Sequence, residues 1–159
     1  MKNKKISVPD WYGKFPFEPD KKKPKLLRQE DAIHRIYGKE PHQIATHLHI
    51  STDLINCADF SISPGGHFEP PDIHSGDEVY YILEGVATVF NPEDGKVYTA
   101  KEGDVFLVPK GVWHQVFNFT DNNLVILTTI APKLWSDEDR GMSIEFTGVP
   151  AYYGARNEK

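Results

Sequence analysis

Asp72, His74 and Glu78 lie close together in GGHFEPPDIHSGDEVYYILEG, residues 65–85, a stretch whose later part otherwise reads as a buried strand. Side chains alternate faces along a strand, so residues an even number apart look the same way. These three share a parity, and so do His114 and Asn118 in VWHQVFNF. With EVYYIL continuing the strand from His74, Glu78, Tyr80 and Ile82 face one side and Val79, Tyr81 and Leu83 the other. Carboxylate and imidazole then enter a partly apolar interior. An unpaired ionised carboxylate there costs several kcal/mol or becomes neutral, and a bound cation is one of few arrangements that offset this. Two imidazoles plus one carboxylate with open positions suit divalent transition metals, Fe(II) in particular. The residues predict a metal centre.

The elements that must position them are short. From Leu54 onward, runs such as LINCADFSI, EVYYILEG, VATVF, KVYTA, VFLVPKG, VWHQVFNF and LVILTTI alternate with the turn signals PGG, NPEDG, KEGD and TDNN. Strands of this length and spacing imply an antiparallel sandwich or small barrel. Gly85, Gly103 and Gly111 fall where turns need unusual backbone angles. Residues 1–43, with DWYGKFPFEPDKKKPK, lack periodicity and read as an extended arm. Within the arm, RQEDAIHRIYG is compatible with a short helix stopped by Gly38. Residues 44–135 form the barrel, and 136–159 a C-terminal extension packing on it, with Ser136 placed to begin one helical turn.

At 159 residues with 39% hydrophobic content the chain makes one domain with a real core. Its formal charge of −5, with lysines bunched near the N-terminus, argues against a nucleic-acid partner. Cys57 is the sole cysteine and reads as a small core residue, so no intrachain disulfide forms. No apolar run reaches signal-peptide or membrane-spanning length, and the chain is expected in the cytoplasm, without a membrane partner.

The two clusters resemble the motifs of the cupin superfamily. The first motif runs glycine, five residues, His-x-His, three or four residues, Glu, six residues, glycine. Gly66, Asp72, His74, Glu78 and Gly85 match its spacing, with Asp72 where the family's first histidine stands. The second runs glycine, five residues, Pro-x-Gly, two residues, His, three residues, Asn; Gly103, Pro109, Gly111, His114 and Asn118 match it throughout. The resemblance spans roughly residues 54–131 and implies an all-β, antiparallel, jelly-roll-like cupin barrel behind the N-terminal arm. It implies one divalent metal ion per chain, Fe(II) or Mn(II) before Zn or Ni, held by His74, Glu78 and His114, with Asp72 in the fourth slot. If Asp72 binds, two carboxylates neutralise the ion and favour harder metals. If it points away, a bare two-histidine, one-carboxylate triad remains.

Other residues enter on weaker grounds. His67 would approach the metal if Pro70-Pro71 bent the loop back. His47, His49 and Asp53 in HLHISTD repeat the first motif's spacing without its following glycine and read as an exposed strand edge. Asn118 is expected to bond the backbone near the site. With His114 inward, Trp113, Gln115, Phe117 and Phe119 face outward, and the arm's Trp11, Tyr12, Phe15 and Phe17 are candidates to cover them, on the same subunit or across a homodimer. The other option is packing on the second sheet.

No arginine lies between Leu54 and Ala131, so an arginine fork for an anionic substrate would have to come from Arg28 or Arg35. A small neutral or aromatic oxygenated molecule chelating the metal is expected instead, with Tyr80 as the catalytic candidate that orients it or supplies a proton. The reading is a metal-dependent cupin enzyme, dioxygenase-like before isomerase, lyase or decarboxylase. Its opposite is a non-catalytic barrel that holds a small effector.

Overall fold

The computed structural model describes residues 11–16, 23–37, 43–69 and 71–132, and the backbone strand at 152–155. Ten strands run in chain order: β1 (Ile33–Tyr37), β2 (Ile44–Ser51), β3 (Asn56–Ile62), β4 (Asp77–Glu84), β5 (Val86–Phe90), β6 (Val97–Lys101), β7 (Val105–Val108), β8 (Gln115–Phe117), β9 (Leu124–Ala131) and β10 (Tyr152–Ala155). Seven form one sheet in the order β10-β1-β2-β3-β9-β4-β7, and three form the other, β6-β5-β8. Every pairing is antiparallel. The all-β, jelly-roll-like architecture expected from the sequence is the one observed.

Strand alternation builds the core. In β4, Glu78, Tyr80 and Ile82 are buried while Val79, Tyr81 and Leu83 are exposed, as parity requires. In β9 the buried set is Leu124, Ile126, Thr128 and Ile130. Phe60, Ile62, Phe68, Val89 and Val116 meet these residues between the sheets. The turn glycines behave as expected: Gly85, Gly103 and Gly111 have φ of 84, 85 and 73°.

The sheet begins earlier than the alternating pattern suggests. Among the described residues only Gln29–Asp31 coil, as a single 3-10 turn in which Asp31 accepts the Arg28 N–H at 2.9 Å. Ile33–Tyr37, inside both the segment read as arm and the stretch read as a helix, is a strand paired along its length with β2. A segment of about three turns gains little from helix formation alone. Pairing with β2 satisfies its backbone instead, and β-branched Ile33 and Ile36 suit a pleated surface. At the far edge, β10 pairs with β1.

The described part of the arm is tied to the end of β2, and Phe119 is 70% exposed. Phe15 exchanges backbone bonds with Ser51 at 2.9 and 2.8 Å, and the Gly13 N–H bonds the Ser51 hydroxyl oxygen at 3.0 Å. The Phe117 ring stacks with His67 and with Phe119, at centroid distances of 4.9 and 5.2 Å. Phe17 and Ser136 lie outside the described residues. No helix among the described residues is long and apolar enough to cross a membrane.

Candidate metal centre

Three loops and two strands converge on the site. The Asp72 and His114 backbones exchange bonds at 2.8 and 3.0 Å, and the Gly111 N–H reaches the His74 carbonyl at 2.9 Å. These bonds stitch the two motifs together. Asn118 secures the other side: its amide donates to the Ile62 and Asn122 carbonyls at 2.9 and 2.8 Å, and its backbone N–H to Gly66 at 2.8 Å. The expected backbone role of Asn118 is thus observed. Gly66 is needed here because a Cβ would stand 2.9 Å from the Ser63 carbonyl oxygen.

His74, Glu78 and His114 are all buried, and they present ligand atoms within 4.8 Å of one another. Glu78 Oε2 lies 2.9 Å from His114 Nε2 and 3.1 Å from His74 Nε2. Despite these distances, Glu78 Oε2 and His114 Nε2 have no partner in hydrogen-bond geometry. Two buried polar atoms facing each other outside hydrogen-bond geometry are costly, and a cation between them removes the cost. Their neighbours point the same way. His114 Nδ1 is 3.1 Å from the Val112 carbonyl, which holds its proton there and leaves the Nε2 lone pair facing the centre. The Thr128 hydroxyl donates to Glu78 Oε1 and leaves Oε2 for the centre. The residues present fit a divalent metal.

Asp72 is not part of this three-residue cluster. One of its oxygens accepts the Ile73 N–H at 2.9 Å, and the other sits 3.7 Å from His74 Nε2. Its charge acts on His74 from there. Burial by itself lowers the His74 pKa, but the Asp72 and Glu78 carboxylates outweigh burial and raise it from 6.5 to about 9. For Glu78, burial favours the neutral form, and the facing histidines overcome it and hold the carboxyl well below its usual range.

Without metal, then, the site is an ion pair. His74, with its raised pKa, contributes stability that is complete below 6.5 and is lost as pH rises through about 9. Metal must displace the His74 proton, so loading runs the other way. Metal affinity is expected to rise about tenfold per pH unit from pH 6.5 to about 9 and then level off. Competition titrations across that range check this, and a flat profile would show that no proton leaves on binding.

Two other histidine groups stay away from the centre. His67 packs on Phe117 and lies 3.7 Å from Glu69. His47 and His49 clasp Asp59, with contacts of 2.7 and 2.6 Å, rather than Asp53, which is exposed. They sit on the face of β2 opposite buried Leu48, in a strand paired on both sides and not at a sheet edge. Cys57 is only partly buried.

Tyr80 stands beside the centre, 1% exposed, with its ring 6.0 Å from that of His114. Gln115, expected to face outward, is instead buried, because the chain at 67–69 runs alongside β8 and takes its amide at the Phe68 carbonyl and Glu69 carboxylate. Thr128 was missed by the sequence reading. Its only signal there is a hydroxyl at a position whose neighbours two residues away, Ile126 and Ile130, are apolar.

Residues 58–130 match the cupin domain family. No curated protein matches the sequence. Among solved structures, a predicted oxalate decarboxylase from Thermotoga maritima is 23% identical with a TM-score of 0.58, covering 68% of this chain and 99% of its own. A cupin superfamily protein from Desulfitobacterium hafniense is 20% identical with a TM-score of 0.51, over 60% of this chain and 83% of its own. An RmlC-like cupin from Shewanella frigidimarina is 20% identical with a TM-score of 0.50, over 65% and 86%. At such identities these structures speak for the fold alone. With both motifs folded into one barrel and residues 58–130 matching the family, this chain carries a cupin domain.

Proposed function

We propose that this protein is a metal-dependent enzyme acting on a small oxygenated organic molecule, with dioxygenase-like oxidation as the reaction class. The observation that supports it is the pair of unsatisfied buried atoms, Glu78 Oε2 and His114 Nε2, facing His74 in a two-histidine, one-carboxylate set. That donor set with open positions is the one used by non-haem Fe(II) oxygenases. A bound divalent ion, Fe(II) or Mn(II) by preference, would supply Lewis acidity toward substrate oxygens and a place for dioxygen. Glu78 serves as ligand, not as a free base. Room for a small molecule exists beside His114, in a cavity of about 190 Å³ whose wall includes Val89, Tyr98, Phe106, Val108 and Trp113.

Within this reading Tyr80 orients the substrate or delivers a proton, since it lies on the inward face next to Glu78 and against His114. Tyr80→Phe is expected to keep its metal and lose about 100-fold in kcat. The test is oxygen consumption by the Fe(II)-loaded protein across catechols, hydroxybenzoates, diketones and sugars, with metal content measured alongside. Turnover without oxygen uptake would move the assignment to an isomerase, lyase or decarboxylase, and a Tyr80→Phe variant with unchanged kcat would remove Tyr80 from the chemistry.

A further inference from the structure

The two sheets part at one side of the barrel. β7 ends the seven-stranded sheet and β6 ends the three-stranded one, and the cavity of about 190 Å³ draws its wall from both and reaches His114. Register turns that wall toward the interior. Phe106 pairs with Tyr80 and Val108 with Glu78, so both stand on the inward row of the seven-stranded sheet, next to the metal centre. Tyr98 pairs with buried Val89 on the other sheet, and directly opposed residues of antiparallel strands project from the same face. Tyr98 and Phe106 thus meet across the gap between the sheets, their ring centroids 5.3 Å apart. Trp113, which strand alternation places outward, lines the same cavity because the chain from 109 to 113 is turn and loop rather than strand.

The chemistry of the wall is one-sided. Phe90, Tyr98, Phe106 and Trp113 supply aromatic rings, and among the described residues that line the cavity none is an acid, a lysine or an arginine. Its volume is close to the roughly 150 Å³ that holds one benzene ring, and well short of the roughly 300–1,000 Å³ of pockets for larger ligands. Aromatic side chains pack offset or edge-on against a flat ring, and a wall of this kind offers an ionised substituent no counter-charge.

Resting on the metal-enzyme reading, we infer that this cavity is the ring subsite of the centre: the substrate is a single-ring aromatic molecule whose uncharged ring occupies the gap between β6 and β7 and whose adjacent oxygens reach the metal of the His74–Glu78–His114 set. Tyr98 and Phe106 are then the residues that set specificity. Open-chain diketones and acids without a ring leave the cavity unfilled, and a sugar gains nothing from its aromatic wall.

The test is calorimetric titration with phenol and cyclohexanol, rings of similar size with one hydroxyl each that differ in aromaticity, and with catechol, which adds a second adjacent oxygen. It is run on metal-free and Mn(II)-loaded wild type, Phe106→Leu, Phe106→Tyr and Tyr98→Leu, with metal content and Tm measured on each. Wild type is expected to prefer phenol to cyclohexanol with or without metal. Phe106→Leu and Tyr98→Leu are each expected to weaken phenol and catechol about two- to tenfold while metal content stays unchanged, and Phe106→Tyr to bind as wild type does. Bound Mn(II) is expected to strengthen catechol about tenfold or more beyond phenol. Equal phenol affinity in wild type and both leucine variants overturns the inference, as does a wild type that binds neither ring or does not prefer phenol, or a catechol affinity that Mn(II) leaves unchanged. If Phe106→Leu fails to fold, Tyr98→Leu decides, at a position 42% exposed. A protein that takes up no metal defeats the metal-enzyme reading separately, and the metal-free phenol titrations then judge the ring subsite by themselves.

Discussion

Replacing His114 with alanine is expected to weaken divalent-metal binding by more than about 100-fold. Groups that merely support a ligand cost 10- to 100-fold when removed, and His114 offers a donor atom itself. The loss should be selective. His114 Nε2 faces Glu78 Oε2 at 2.9 Å, so its removal leaves the carboxylate with one imidazole and an open side. His47→Ala makes the control, because His47 is engaged with Asp59 on the opposite face of the sheet and should leave metal affinity unchanged. Equal metal loss in both variants would mean that binding tracks general stability rather than this constellation.

The second large effect concerns the fold that carries the site. Gly85 joins β4 to β5 with φ 84°, and a Cβ there would stand 2.4 Å from the backbone oxygen of Asn123. Backbone blocks the space, so the neighbour cannot simply swing aside. Gly85→Ala is expected to cost about 3 kcal/mol, combining the left-handed backbone with the clash. For a chain of this size that is a Tm lower by roughly 6–12 °C. Gly103 supplies the comparison: its φ is 85°, but a Cβ there meets nothing within 4 Å. Gly103→Ala should therefore cost only about 1 kcal/mol. Thermal unfolding of the pair separates the two contributions, and equal shifts would show that the close approach to Asn123 is relieved at no cost.

What could be read in the sequence was local. The inward set Glu78, Tyr80 and Ile82 follows from the alternation of a single strand, and the turn glycines from the punctuation between strands. His74 and Glu78 are within one turn-and-strand segment, and His114 lies in a motif of its own, so all three candidate ligands were visible. The residues that the sequence leaves out or misplaces depend on partners distant in the chain. Thr128 resembles any β-branched strand residue until β9 pairs with β4 and brings its hydroxyl to Glu78, 50 positions away. Arg35 reads as part of a charged helix until β2 claims Ile33–Tyr37 as a strand and fixes which way the guanidinium faces. Gln115 obeys parity and yet is buried, because the chain at 67–69, far off in sequence, lies beside β8. Asp72 has the right spacing for a ligand, but its backbone bonds to His114 and its side-chain bond to the Ile73 N–H set it to one side of the three-residue cluster.

The central claim is that His74, Glu78 and His114 hold a divalent metal, and the metal-to-chain ratio of untagged protein tests it most directly. It would be measured by elemental analysis as purified and again after anaerobic exposure to Fe(II), with Asp72→Ala alongside. The account predicts a ratio near one for the wild type, and retention of metal by Asp72→Ala if the three-residue cluster suffices. A wild-type protein that is metal-free as purified and also refuses added Fe(II) would contradict it.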